Sequence, residues 1–301
     1  MDIAYFILNK CLIYLSDLTL LSIVVFLNSN VAILRLCEKS LKVREIISAE
    51  HIGIFAADPN SIAKAEGIGS RLSLPVINVR DAKPLILEVS NTHVSLVYTA
   101  PKSPGATLVD FVGGKMGYRS KNSGFKDQDI IKACGIKKGM RPTILDATAG
   151  LGRDGFILAS TGCKVTLVER NPIIALLLED GIKRASEVTQ TADIAANITF
   201  HNCNSVKFIN AIISMDMPEV IYLDPMYPHR TKSSLVKKEM RALRDVVGDD
   251  FDSDDLLTAA LQKASKRVVV KRPKGAEYLA DKKPSMSFDG KSTRFDVYFV
   301  G

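Results

Sequence analysis

A glycine-rich segment in the middle of the chain has the residue types and spacing of a cofactor-binding bend. Residues 150–155 read Gly-Leu-Gly-Arg-Asp-Gly and satisfy the pattern G-x-G-x-x-G. Glycines let a ligand approach the main chain, and a helix that begins there exposes backbone N–H groups. The pattern alone does not identify the ligand, because NAD-binding enzymes share it. Asp146, four residues earlier, favours a ligand with an ammonium group, since a carboxylate there would repel a pyrophosphate.

A second acidic residue lies at the distance expected of a ribose ligand. Glu169 ends a predicted strand and follows Gly150 by 19 residues. In Rossmann-type sheets, a carboxylate about 20 residues after the bend accepts hydrogen bonds from a ribose. We therefore predict that Glu169 binds a ribose hydroxyl pair. Asn171 and Pro172 then have the residue types of a helix N-cap and a first helical position.

The segment Asp224-Pro225-Met226-Tyr227 indicates which group reacts. The exocyclic amine of a nucleobase is a poor nucleophile, because its lone pair is delocalised into the ring. Acceptors aimed at its N–H groups localise that pair and orient it toward an electrophile, and Asp224 supplies a carboxylate for this. Tyr227 offers an aromatic face on which a flipped base can stack. We predict Asp224 and Tyr227 as the catalytic residues.

Two basic stretches follow this motif. Residues 229–241 contain five Lys or Arg residues and one acid, and a solvated helix face is the alternative interpretation of their C-terminal part. A strand near the C-terminus ends in Lys271 and Arg272, and in open α/β sheets this end of a strand faces the ligand. The candidate RNA-binding residues are Arg230, Lys232, Lys237, Lys238, Lys271 and Arg272.

Taken together, these motifs resemble the class I S-adenosylmethionine-dependent methyltransferases, and more narrowly the ribosomal RNA small subunit methyltransferase J family. The resemblance spans roughly residues 51–301. It rests on the segments 109–114, 146–154, 167–172, 222–229, 234–241, 267–273 and 293–298. It implies a seven-stranded sheet, S-adenosylmethionine as methyl donor, and transfer to N2 of a guanine in 16S rRNA.

The resemblance also implies a set of cofactor ligands. The turn after the third strand of the methyltransferase sheet would contact the adenine, and here it reads Cys203-Asn204-Ser205. Of these three residues, we select Asn204 and Ser205. With the residues of the bend, the three acidic strand ends and the arginine after the second of them, the expected cofactor-binding set is Asp146, Gly150, Gly152, Arg153, Asp154, Glu169, Arg170, Asn204, Ser205 and Asp224.

The elements that must position these residues alternate between strand and helix from about residue 106. We predict strands near residues 143–147, 164–169, 197–201, 219–224 and 267–272. The helix that begins at Pro172 is expected to end near Arg184, with a loop as far as Ala196. An Asp-Gly pair at 289–290 predicts a closing hairpin and hence an antiparallel edge. The alternation predicts an α/β fold with a mostly parallel, Rossmann-like sheet.

The remainder of the chain divides by composition. Residues 46–105 predict a small N-terminal α/β subdomain, and residues 106–301 the methyltransferase domain. In the subdomain we expect a strand at 51–56, a helix at 61–72 capped by Ser61, a strand at 74–77, and a hairpin of 85–89 with 94–98. Residues 1–45 are an apolar extension. It could be a buried or swapped helix, an unstructured or misassigned extension, or a membrane anchor, and the resemblance favours the second.

Composition limits the partners. An apolar fraction of 47% suffices for a core, and a net charge of +7 favours a polyanionic partner, here 16S rRNA or the small ribosomal subunit. The five scattered cysteines fit reduced thiols in the cytoplasm. The four histidines form no cluster, so we expect no metal, and the interrupted apolar run argues against membrane contact.

The sequence thus predicts an S-adenosylmethionine-dependent rRNA (guanine-N2)-methyltransferase. Two rivals remain at this point: an NAD-dependent oxidoreductase using the same bend, and a non-catalytic RNA-binding module with a Rossmann-like fold. The oxidoreductase would need a proton-transfer residue, and no His or Tyr-Lys pair is placed for that role. A third possibility keeps the chemistry and changes the target to DNA or another RNA base.

Overall fold

The computed structural model describes residues 51–100, 103, 105–113, 129–226 and 252–300. The predictions for the extension 1–45, for Tyr227 and for four of the basic residues lie outside these residues and stay predictions. Those four are Arg230, Lys232, Lys237 and Lys238.

The described residues form two sheets. The strands are β1 (Ile52–Ala56), β2 (Val76–Ile77), β3 (Leu85–Val89), β4 (Val94–Tyr98), β5 (Ile144–Asp146), β6 (Val165–Glu169), β7 (Ile198–Asn202), β8 (Val220–Leu223), β9 (Arg267–Pro273), β10 (Met286–Asp289) and β11 (Thr293–Phe299). The first sheet has the order β2-β1-β3-β4, and the second has the order β10-β11-β9-β8-β5-β6-β7.

Helices connect these strands. They are α1 (Ile62–Leu72), α2 (Asp129–Ala133), α3 (Arg153–Ser160), α4 (Pro172–Ser186), α5 (Thr189–Ala195), α6 (Ser205–Ala211) and α7 (Ser253–Lys263). Short 3₁₀ turns occupy Pro59–Ser61, Arg80–Ala82, Ser214–Asp216 and Leu279–Asp281.

The larger sheet has the predicted architecture. From β9 through β8, β5 and β6 to β7 all neighbours are parallel, whereas β11 pairs antiparallel with both β9 and β10. The chain proceeds outward from β5 to β7 and then returns to β8 on the other side of β5. The strand order therefore reverses between β5 and β8, which is where ligands bind in doubly wound sheets. The predicted mostly parallel α/β sheet with an antiparallel edge hairpin is confirmed.

One hydrophobic core joins the central strands to the helices that flank them. Leu145, Ile221 and Val268 come from adjacent strands, and Leu257 and Ile209 come from α7 and α6; all five are at most 2% exposed. Burying such a side chain contributes about 1.5–3 kcal/mol. These residues fix the strand ends relative to one another, and the strand ends carry the predicted site residues.

Helix α4 begins as the sequence predicts. The Asn171 side chain accepts hydrogen bonds from the backbone N–H groups of Ile173 and Ile174, at 3.0 and 3.2 Å, and Pro172 is the first helical residue. The helix is longer than predicted, since it ends at Ser186. The predicted loop to Ala196 is wrong, because α5 occupies most of it. Thr191 is buried there and donates to the carbonyl of Ala185 at 2.7 Å.

The smaller sheet contains the elements expected of residues 51–98. Strands β1, β2 and β3 are parallel, and β4 closes a hairpin with β3. The Ser61 side chain makes no cap hydrogen bond to α1; Asp58 instead caps the preceding 3₁₀ turn. The Asp180 carboxylate of α4 accepts from the Val94 N–H of this sheet at 3.1 Å and from Lys64 Nζ of α1 at 3.2 Å. Its assignment as a separate subdomain stays a prediction.

Candidate active site

A cavity of about 310 Å³ opens at the carboxyl-terminal ends of β5, β6, β8 and β9, beside the point where the strand order reverses. Its walls come from the glycine bend after β5, the end of β6, the residues that follow β8, and the start of α7. Nine predicted site residues line it: Asp146, Gly150, Arg153, Asp154, Glu169, Arg170, Ser205, Asp224 and Lys271. The tertiary structure therefore gathers most of the predicted residues into one site.

The first glycine of the bend borders the cavity. Gly150 has a φ of +51°, a left-handed conformation that side chains rarely adopt. A Cβ added there would meet nothing closer than the Thr148 carbonyl oxygen at 4.0 Å. Gly150 thus supplies a backbone conformation and leaves open space next to the cavity.

The second and third glycines serve packing instead. A Cβ on Gly152 would collide with the Leu178 side chain and lie 3.1 Å from the Phe111 ring, and a Cβ on Gly155 would collide with Leu167. The third glycine of this pattern commonly permits close contact between helix and strand. Gly152 is buried and does not line the cavity. The structure therefore does not support the predicted cofactor contact by Gly152.

Glu169 joins the end of β6 to the bend. One carboxylate oxygen accepts from the Gly150 N–H at 2.9 Å, and the other accepts from the Asn171 N–H at 2.7 Å. The side chain is 8% exposed and borders the cavity. A carboxylate oxygen can accept more than one hydrogen bond, so these contacts leave capacity for a hydroxyl. The predicted ribose contact stays a prediction, and the geometry is compatible with it.

Asp146 is the most deeply buried acid of the site, at 1% exposure. Its Oδ1 accepts from the Thr148 N–H at 3.1 Å. Burial raises the pKa of the Asp146 carboxyl well above its ordinary value, and the neighbouring carboxylates of Asp154 and Asp224 raise it further. The Thr148 N–H and the Lys271 ammonium act in the opposite direction. A bound cation would relieve this crowding of negative charge.

Asp224 belongs to a network of charged side chains. Lys271 Nζ donates to Asp224 Oδ2 at 2.8 Å and to Asp154 Oδ2 at 2.7 Å. The same Asp154 oxygen accepts from the Tyr222 hydroxyl at 2.6 Å. Burial and the nearby carboxylates raise the pKa of the Tyr222 phenol, so Tyr222 stays a donor. The backbone of Asp224 is fixed as well, since its N–H donates to Thr148 Oγ1 at 2.6 Å.

The predicted adenine turn is present after β7. The Ser205 hydroxyl donates to the Ala147 carbonyl at 2.5 Å and lines the cavity. Asn204 is the N-cap of α6, and its Oδ1 accepts from the Lys207 N–H at 3.0 Å. Asn204 does not line the cavity, so the structure assigns it a capping role and gives no support to the predicted ligand contact.

Lys271 and Arg272 are separated by the alternation of side chains along a strand. Lys271 faces the cavity, whereas Arg272 is 6% exposed and donates through Nε and Nη2 to the Glu277 carbonyl, at 3.3 and 3.0 Å. The structure does not support the predicted phosphate contact by Arg272, because its guanidinium is buried against a loop. Lys271 makes carboxylate contacts at the cavity, which the sequence did not predict.

Other cavity residues were missed by the sequence analysis. Thr148, between Asp146 and the first glycine, could have been noticed as a polar residue inside the bend. Asp252 offers no such local signal. Its carboxylate accepts from Arg170 Nη1 at 2.9 and 3.1 Å, and it precedes α7, 82 residues from Arg170. This pair spans one wall of the cavity.

Comparisons with known proteins identify relatives that are methyltransferases. A family model described as "Putative SAM-dependent methyltransferase" matches residues 70–300. The ribosomal RNA small subunit methyltransferase J of Thioalkalivibrio sulfidiphilus is 48% identical over 255 residues, which cover 85% of this chain and 100% of that protein. The same-named protein of Colwellia psychrerythraea is 56% identical over 194 residues, 64% of this chain and 70% of its own.

The chain belongs to the ribosomal RNA small subunit methyltransferase J family.

A solved structure agrees with this membership. The crystal structure of a SAM-dependent methyltransferase from Neisseria gonorrhoeae superposes with a TM-score of 0.64 at 36% identity, and the match covers 82% of this chain and 95% of that one. The Rossmann-like fold and the cofactor S-adenosylmethionine predicted from the sequence are confirmed. The NAD-dependent oxidoreductase and the non-catalytic module are not favoured, because the family relatives are named methyltransferases.

The cavity of this methyltransferase J family member fits its cofactor. Ligand sites range from about 300 to 1,000 Å³, and this one is at the lower end. The carboxylates of Asp146, Asp154 and Asp224 surround one ammonium, so this part of the wall favours a cationic ligand. In the part of the chain that the structure describes, no three or more His, Cys, Asp or Glu side chains are placed so that they could hold a metal ion. Among the same residues, no helix is long and apolar enough to cross a membrane.

Proposed function

We propose that this protein transfers a methyl group from S-adenosylmethionine to the exocyclic N2 of a guanine in 16S rRNA. The observation that carries the proposal is the meeting of three features at one cavity: the glycine bend, Glu169 at the end of β6, and Asp224 after β8. The names of the family relatives supply the substrate class, ribosomal RNA of the small subunit. The sequence motif that begins at Asp224 favours the exocyclic amine of a nucleobase, and the choice of the guanine N2 comes from the family resemblance.

The cofactor ligands are proposed from position in the cavity. Glu169 would hold the ribose hydroxyls, and Ser205, at the turn after β7, lies where the adenine is expected. Asp146 and Asp154 would face the cationic parts of the cofactor, with Arg153 and Arg170 at the rim. S-adenosylmethionine, when bound, would supply an electrophilic methyl group on a positively charged sulfonium: its S–C bond breaks as the N2–C bond forms, S-adenosylhomocysteine leaves, and N2 loses one proton to solvent.

The chain's own residues would act on the guanine. The Asp224 carboxylate accepts a hydrogen bond from the 2-amino group, which localises the nitrogen lone pair and points it into the cavity. Thr148 fixes the Asp224 backbone, so the acceptor is in place before the base arrives. Tyr227, from the sequence motif, would stack on the flipped base. Positioning supplies most of the rate in such a transfer, since attack by the amine needs no strong base at the outset.

The reaction is tested by mass spectrometry of small-subunit rRNA from cells with and without the gene. We expect the loss of a single N2-methylguanine, restored when the gene is returned. Incubation of the purified protein with labelled S-adenosylmethionine and either naked 16S rRNA or assembled subunits then identifies the substrate form. An rRNA whose methylation pattern is unchanged in the deletion strain would contradict the proposal.

The role of Asp224 is tested by Asp224→Asn. We expect a loss of methyl transfer of roughly 100-fold or more, as for removal of one preorganised polar group at a reacting centre. The thermal midpoint should change little, because Asp224 is 40% exposed and the amide keeps one acceptor oxygen. Affinity for S-adenosylmethionine should fall much less than the rate of methyl transfer, because Asp146 and Asp154 remain in the cavity wall. Asp216→Asn is the matched control, since Asp216 is exposed and outside the cavity. A fully active Asp224→Asn enzyme would remove Asp224 from the mechanism.

A further inference from the structure

Lys271 lines the cavity and contacts the proposed catalytic residue Asp224. It projects from β9 between two carboxylates that belong to different elements. Asp154 is in the first turn of α3, on the side of the glycine bend, and Asp224 follows β8, on the side of the proposed base site. The ammonium lies within 2.8 Å of both. It therefore joins the two carboxylates directly.

We propose that Lys271 is a positioning residue for methyl transfer, which holds the Asp224 carboxylate ionised and in the orientation that receives the guanine amine. The inference rests on the proposed function. It replaces the phosphate contact expected from the sequence, because the Lys271 side chain is 28% exposed and its ammonium already binds two carboxylates.

Orientation follows from how each group is held. The Asp224 side chain is 40% exposed, so few packing contacts hold it. Without another contact, such a side chain would lose rotamer entropy when the guanine binds. Lys271 accounts for one Oδ2 contact, and the Thr148 hydroxyl fixes the backbone N–H of the same residue. Lys271 itself is fixed from the other side by Asp154, whose Oδ2 also accepts from the buried Tyr222 hydroxyl. A charged network of this kind is more rigid than its separate pairs.

Ionisation follows from the charges that face the site. Asp146 from β5, Asp154 from α3 and Asp224 after β8 surround the single ammonium, Tyr222 from β8 is neutral, and the residue opposite Lys271 on β11 is Phe295. Burial opposes the charged form of Lys271, but Asp224 and Asp154 outweigh it and raise the pKa of the ammonium. Lys271 is therefore positively charged at neutral pH. Without it, three carboxylates would crowd together and one would take up a proton more readily.

The test compares Lys271→Met with Lys271→Arg, and uses Lys274→Met as a matched control. Lys274 is exposed and lies just beyond β9, so the control removes one positive charge without touching the cavity. Single-turnover methyl transfer is measured from pH 5.5 to 9 with enzyme in excess over rRNA, and affinity for S-adenosylmethionine is measured by calorimetry over the same range. The KM for rRNA is measured under multiple-turnover conditions at several salt concentrations.

For Lys271→Met we expect a rate loss of about tenfold or more at pH 7. The acid limb of the pH–rate profile, in which the rate falls as the pH decreases, should move to a pH higher by about one unit or more, the size of shift that loss of one neighbouring cation produces. Affinity for S-adenosylmethionine at pH 8 should be equal to that of the wild type or higher, because a positive charge near a cationic ligand has been removed. Lys271→Arg should keep the wild-type acid limb, and Lys274→Met should match the wild type in rate and in pH profile.

Three results would overturn the proposal. The first is a raised KM for rRNA with a smaller dependence of binding on salt concentration and an unchanged pH profile, which is the signature of a lost phosphate contact. The second is weaker cofactor binding together with an equal rate loss in the Met and Arg variants, which indicates a structural role. The third is an acid limb in the folded Lys271→Arg variant that lies at a different pH from that of the wild type. This result would overturn the proposal even if Lys271→Met does not fold.

Failure of the proposed function would look different. If the wild-type protein binds S-adenosylmethionine and methylates neither naked rRNA nor subunits, the proposed reaction is wrong. The Lys271 inference is then judged by cofactor binding alone. Binding to Lys271→Met should weaken as the pH falls through the range in which the crowded carboxylates protonate, and a pH dependence identical to that of the wild type would overturn it.

Discussion

The sharpest test of the glycine bend is Gly152→Ala, because the structure gives this glycine a packing role and no place in the cavity wall. The φ of Gly152 is +72°, and a Cβ there would collide with the Leu178 side chain and approach the Phe111 ring to 3.1 Å. Leu178 and Phe111 are buried and cannot move into solvent, being 0% and 1% exposed. The substitution therefore combines backbone strain with overpacking.

The magnitude follows from these two causes. A non-glycine residue in the left-handed region costs about 1–2 kcal/mol, and forcing an extra carbon into a packed core costs about 1–3 kcal/mol more. We expect a total destabilisation of about 2–5 kcal/mol for Gly152→Ala. In a protein of this size each kcal/mol lowers Tm by about 2–4 °C, so the expected decrease is roughly 4–20 °C.

Gly150→Ala is the matched control, two residues away in the same bend. Gly150 has a φ of +51° but open space around an added Cβ, so only the backbone cost of about 1–2 kcal/mol applies. Stability is measured by chemical denaturation with linear extrapolation, and S-adenosylmethionine affinity is measured on the folded fraction. Equal stability losses for the two variants would refute the packing argument. So would a Gly152→Ala protein of wild-type stability.

Two further predictions concern the acidic residues of the site. Asp146→Asn should stabilise the ligand-free protein at neutral pH and make its stability depend less on pH. The folded-state pKa of Asp146 is raised above the ordinary value of 3.8, so the contribution of this carboxyl to stability is fully present below 3.8 and is lost as the pH rises through the folded-state pKa. Urea denaturation from pH 4 to 8 checks this, and a stability profile parallel to that of the wild type contradicts it. Glu169→Gln should lower the free energy of unfolding by about 1–3 kcal/mol and weaken cofactor binding, because the amide N–H₂ group must face one of the two backbone N–H groups that the carboxylate accepts from, those of Gly150 and Asn171. The control is Glu187→Gln, at an exposed residue, which should change stability by less than about 0.5 kcal/mol. Equal effects of the two substitutions would contradict this prediction.

Much of the fold was accessible from the sequence because its signals are local. The predicted strands at the site agree with the structure within one or two residues. The residue types of Asn171 and Pro172 predict the start of α4, because a cap bonds only N–H groups two and three residues further along the chain. The boundary at the end of α4 failed for the opposite reason. The segment after Arg184 is polar or small, and α5 is held there partly by the buried Thr191 hydroxyl contact to Ala185, which no periodic pattern reveals.

The sequence by itself determined the bend, the acid at the end of β6 and the Asp224 motif, because each depends on residue type and on spacing along a single β-α unit. Only the tertiary structure decided which way Lys271 and Arg272 point, since adjacent residues of a strand face opposite sides of the sheet and one register step exchanges them. It also decided the pairing of Arg170 with Asp252 across 82 residues. Contacts of that kind depend on how separate strands and helices pack together, and no local property of the chain encodes them.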